Sequence, residues 1–73
     1  MEMNNTTMEI TVNGQAHELA APATITALLE SLGLAGKPVI AELNREAVLP
    51  RLFPETHLNA GDCIEIITLA AGG

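Results

Sequence analysis

Three observations in this 73-residue chain predict an α+β fold of two layers, one helix packed on one mixed sheet. Several short segments alternate apolar and polar residues with period two, the mark of half-buried strands. One segment alone repeats at helical spacing: Ile25, Leu28, Leu29 and Leu32 form a single apolar stripe. Turn signals such as Asn13-Gly14 and Asn59-Ala60-Gly61-Asp62 fall between the patterned segments. A helix with one apolar stripe and a sheet with one apolar face bury both most simply against each other.

Patterning begins at Met8, so residues 1–7 read as a frayed leader. Met8-Glu9-Ile10-Thr11-Val12 alternates cleanly, with Met8, Ile10 and Val12 facing in. Asn13-Gly14 is a strong hairpin signal, because both central residues of a type I′ turn need positive φ. Gln15 to Leu19 is the returning strand. Ala20 to Ala23 reads as a linker broken by Pro22. Thr24 can cap a helix, since its hydroxyl can accept from a first-turn N–H. That helix runs to about Leu32, and Gly33 supplies the left-handed position that ends it. Val39 to Leu43 is a third strand, Asn44-Arg45-Glu46 a tight turn, and Ala47-Val48-Leu49 a short fourth strand. Pro50 stops it, having no N–H for a ladder. Leu52 and Phe53 are expected to anchor an irregular stretch. Cys63 to Leu69 is the last strand, with Ile64 and Ile66 inward.

The order β-β-α-β-β-β, hairpin, crossing helix and second hairpin, is that of a ubiquitin-like β-grasp domain over residues 8–69. The run from Ile64 to Leu69 is apolar on both faces, which places this strand centrally beside the first. Ile67 and Leu69 then fall on the face away from the helix.

Composition excludes several function classes. Net charge is −6 and Phe53 is the sole aromatic residue. Nucleic acid and anionic membranes are disfavoured by that charge, and base stacking by the lack of aromatics. No apolar run could span a bilayer, and the N-terminus lacks signal-peptide character. A cytoplasmic protein is expected. Cys63 is the single cysteine and reads as a small strand residue beside a turn, with sulfur transfer as the sharper alternative. His17 and His57 lack metal-ligand spacing, so no metal site is expected.

The chemistry-bearing feature is the chain end. Residues 70–73, Ala70-Ala71-Gly72-Gly73, carry no strand or capping signal and read as a flexible tail. Two glycines fit a narrow channel and put no β-carbon beside the terminal carbonyl. A carboxylate is a poor acyl donor, but adenylation by ATP would convert that of Gly73 into a mixed anhydride open to a thiolate or persulfide. Ile67, Leu69, Ala70 and Ala71, joined by Ile40, are the candidate docking residues that lead this tail into a partner.

Val39-Ile40-Ala41-Glu42-Leu43-Asn44-Arg45-Glu46, Val48, Arg51, Glu55-Thr56, Leu58, Gly61-Asp62, Ile64-Glu65-Ile66 and Gly72-Gly73 together resemble the ThiS-type sulfur carriers of thiamine biosynthesis. The resemblance runs from Met8 to Gly73. It implies a carrier rather than an enzyme, with no bound cofactor. An adenylating enzyme would use ATP to activate Gly73. A sulfur donor, a cysteine desulfurase or its persulfide, would convert the carboxylate to a thiocarboxylate. Thiazole synthase would take the sulfur for the thiazole ring. The chain departs from the family where Arg45 replaces a common Gly. It departs again where Leu49 intervenes between Val48 and Pro50-Arg51, so a bulge is expected in the fourth strand. The small subunit of molybdopterin synthase shares this fold and tail chemistry and is the alternative. A β-grasp interaction module and a ubiquitin-like protein modifier are further readings.

Overall fold

The computed structural model describes residues 6–69; the tail at 70–73 and most of the expected leader lie outside them. Strands β1 (Thr7–Val12) and β2 (Gln15–Ala20) form the first hairpin. Strand β3 (Ala23–Thr24) leads into helix α1 (Ile25–Ser31). Strands β4 (Val39–Leu43) and β5 (Glu46–Val48) form the second hairpin. A 3-10 helix over Pro50–Glu55, strand β6 (His57–Leu58) and strand β7 (Cys63–Thr68) complete the fold. The five-stranded sheet has the order β2-β1-β7-β4-β5, so the last strand lies at its centre. It pairs parallel with β1 and antiparallel with β4. This is the mixed sheet and single helix of the ubiquitin-like β-grasp.

Alternation decides which side of the sheet meets the helix. Met8, Ile10, Val12, Val39, Ala41, Ile64 and Ile66 all turn inward and are buried with Ile25, Leu28 and Leu29 of α1. Ile10, Ile25, Leu28 and Ile64 are the largest fully buried side chains, and each contributes about 1.5–3 kcal/mol by leaving water. The helix starts and stops where its end residues can satisfy free backbone groups. The Thr24 hydroxyl accepts from Ala27 N–H at 3.2 Å. At the other end Gly33 takes φ +76°, and the Leu34 N–H reaches the Leu29 carbonyl at 2.8 Å. That 6→1 bond closes a Schellman motif, so α1 ends at Ser31 with Leu32 as its cap.

Several details differ from the sequence expectations. The first strand begins at Thr7, and the Thr6 carbonyl accepts from Ala21 N–H at 3.0 Å, so sheet pairing reaches into the expected leader. The linker at Ala20 to Ala23 contains strand residues. Ala20 ends β2, and Ala23-Thr24 pairs with His57-Leu58 as a separate two-stranded sheet. The fourth strand is Glu46–Val48, in unbroken register with Ala41–Leu43 and without a bulge. The additional residue, Leu49, instead bridges extended from β5 into the 3-10 helix. Within that helix only Phe53 is an anchor, at 7% exposed; Leu52, at 39%, faces outward. The turn after β4 has Asn44 at φ +50° and Arg45 at φ +73°, so the replacement of Gly by Arg leaves the left-handed geometry in place.

Candidate functional site

Two asparagines set the position of the strand that precedes the tail. Asn13 sits at φ +51° in the first hairpin turn, and its side chain pairs with β7 as a strand residue would. Its Oδ1 accepts from Ile66 N–H at 2.8 Å, and its Nδ2 donates to the Ile66 carbonyl at 3.2 Å. Asn44 does the same work at the other end of β7. Its Oδ1 accepts from Cys63 N–H at 3.0 Å, and its Nδ2 donates to Asp62 Oδ1 at 3.1 Å. Asp62 Oδ2 in turn accepts from Asn59 N–H at 2.8 Å, closing the turn before β7. The Asn of the Leu-Asn-x-Glu turn and the Asp of Gly-Asp are thus one structural clamp rather than two separate signatures.

The clamped strand presents its outer face to solvent. Ile67 and Ile40 are direct cross-strand partners on that face, and Ile67 is 53% exposed where its neighbour Ile66 is 6% exposed. Leu49 is also exposed. It follows Val48 in extended conformation, one position beyond the Ala41–Val48 pair, and so continues the row alongside Ile40. The sequence presents Leu49 only as an additional residue of the fourth strand; the β4–β5 register is the signal that makes it a surface residue of this row.

Leu69 sits differently from Ile67. It lies just past the end of β7, held by its N–H to the Pro38 carbonyl at 3.0 Å. There it lines an open groove with Leu29, Pro38, Pro50 and Phe53, at the margin of the helix layer. Ile40, Ile67 and Leu69 are all exposed, and they lead toward the point where the described chain stops. The remaining candidates Ala70, Ala71, Gly72 and Gly73 lie outside the described residues.

Other candidates are accounted for locally. Cys63 is an exposed free thiol at the start of β7, where its backbone is bound by Asn44. His17 Nε2 stands 3.5 Å from Ser31 Oγ, and His57 lies in β6. Among the described residues no cluster of His, Cys, Asp or Glu could hold a metal ion. Among them, too, no helix is long and apolar enough to cross a membrane.

Comparison with known proteins agrees with this geometry. The sequence model described as the ThiS family matches residues 1–73. The sulfur carrier protein ThiS of Thermus thermophilus is 36% identical over 62 residues, covering 85% of this chain and 95% of that one. A crystal structure of the thiamine biosynthesis protein ThiS from Geobacter metallireducens superposes with a TM-score of 0.76 at 33% identity, covering 90% of this chain and 100% of that one. A thiazole synthase of Paramagnetospirillum magneticum is 33% identical over 66 residues. That match takes in 90% of this chain, which spans only 20% of the synthase's length.

Proposed function

The chain belongs to the ThiS family, and we propose on that premise that it is a sulfur carrier of thiamine biosynthesis, loaded at the carboxylate of Gly73. The observation that carries this reading is the match over the whole chain, Gly72-Gly73 included. The fold adds a physical rationale: the tail follows a central strand held on both sides, so a rigid head carries a short tether.

Loading takes place on a partner. A carboxylate oxygen of Gly73 attacks the α-phosphorus of ATP, and pyrophosphate leaves. A persulfide sulfur from the donor then attacks the acyl carbon, and AMP leaves. A second thiol cleaves the resulting acyl disulfide, which frees the thiocarboxylate and leaves a disulfide behind. The adenylating enzyme supplies phosphate binding and charge stabilisation, and the carrier supplies the carboxylate and its reach. Cytosolic thiazole synthase is the sulfur acceptor in this reading. The likeness to a thiazole synthase supports that partnership, since one such protein has a segment similar to this carrier. Ile40, Ile67 and Leu69 make the docking surface at the root of the tail, and Ala70 and Ala71 extend it into the partner's channel.

Intact-protein mass spectrometry tests the proposal. The carrier is incubated with the adenylating enzyme, ATP and a sulfur donor. Replacement of one terminal oxygen by sulfur is expected. No mass change, or the same change in a chain lacking Gly73, would overturn it.

A further inference from the structure

The face that carries Ile40 and Ile67 also carries two pairs of like charges. Glu42 and Glu65 are direct cross-strand partners on β4 and β7, and both are exposed. Each lies two residues along its strand from the Ile40–Ile67 pair, and therefore on the same side of the sheet. Glu9 and Glu18 are likewise opposed on β1 and β2, on the same face but toward the opposite edge of the sheet. Side chains so opposed have Cβ atoms about 4.5–5.5 Å apart, and like charges there destabilise the sheet. Arg45 lines the same shallow pocket as Glu42 and Glu65, so one cation faces two carboxylates and the area stays acidic.

We infer that Glu42 and Glu65, set beside the exposed Ile40–Ile67 pair, dock the carrier on a basic surface of the adenylating enzyme. The inference rests on the carrier reading and adds the charge of the partner's surface to it. The occupant is a protein ledge with apolar side chains against Ile40, Ile67 and Leu49. Lysine or arginine side chains of that ledge reach Glu42 and Glu65. Two features point to such an occupant. The apolar row is continuous with the root of the tail, so whatever receives the tail covers the row. Covering it also brings the adjoining carboxylates out of water, and only cations opposite them make that favourable. The Glu9–Glu18 pair has the same chemistry but no apolar neighbour of this size, and it serves as an internal control.

The test is stopped-flow association of the full chain with the adenylating enzyme at low and physiological salt. E42Q/E65Q removes both charges with little change of shape. Its association rate should fall about ten-fold at low salt and lose most of its salt dependence. E9Q/E18Q should change that rate by less than about two-fold, since charges remote from the contact are screened. Thermal melting of E42Q/E65Q should match or exceed that of the wild type, because repulsion is relieved, so a loss of binding is not a loss of fold. An unchanged rate for E42Q/E65Q overturns the inference, and so does an equal loss in E9Q/E18Q, which would make the effect one of net charge. Mass spectrometry of the wild type with ATP separates this from the carrier reading. If Gly73 is adenylated while E42Q/E65Q binds normally, only the docking inference fails; if Gly73 is never adenylated, both fail.

Discussion

Ile66 and Ile67 are neighbours of one residue type on one strand, yet the first is buried under the helix and the second stands in solvent. The two residues have the same side chain and opposite environments. On the inner face, Ile64 and Ile66 meet α1 and complete the core. On the outer face Ile67 pairs with Ile40 across the strand boundary and stays exposed. Inner side chains are accounted for by stability. An outer isoleucine gains little from folding, and the docking surface proposed above gives it a role.

Three substitutions sharpen or break this comparison. Ile64→Ala on the inner face should cost about 2–5 kcal/mol, enough to unfold much of a domain this small. Urea denaturation followed by circular dichroism measures it, and a cost under 1 kcal/mol would mean the inner face is not the core. Asn44→Ala, which removes the clamp on Asp62 and Cys63, should cost about 1–2 kcal/mol by the same measurement. Amide exchange should rise first at Cys63 if the clamp fixes the start of β7. Ile67→Ala should change stability by no more than about 0.5 kcal/mol. Its loading by the adenylating enzyme should nonetheless slow markedly. Normal loading of that variant would remove the functional distinction between the two faces.

Much of the fold was legible because its signals are local. Asn13-Gly14 announced its turn, the stripe Ile25, Leu28, Leu29 and Leu32 announced the helix, and the two-sided apolar run from Ile64 placed β7 centrally. What escaped reading depends on partners distant in sequence. Ala23-Thr24 and His57-Leu58 are too short to show a period and become strands only by pairing with each other. The amides of Asn13 and Asn44 read as turn residues, and nothing near them shows that they also bind β7. Leu52 and Phe53 are equally apolar on paper, and the 3-10 helix alone turns one in and the other out. For the candidate site, period-two alternation was enough to put Ile67 on the exposed outer face, where Ile40 pairs with it. Leu69 lies past the last strand residue, where alternation no longer governs direction, and it lines the groove beside Phe53 instead. Leu49 needed the pairing of β5 with β4 to be recognised.

The central place of β7 also bears on how the chain is made. The β1–β2 and β4–β5 hairpins join residues close in sequence, but Asn13 and Ile66 lie 53 positions apart. Such distant contacts form late and slowly. During synthesis the two hairpins emerge with nothing between them, and the strand that joins them is translated after both. A nascent or prematurely terminated chain that stops short of Cys63 leaves both hairpins with open edges and an uncovered helix, a target for chaperones or proteases. Completion of the head is thereby tied to translation of the segment that bears the tail.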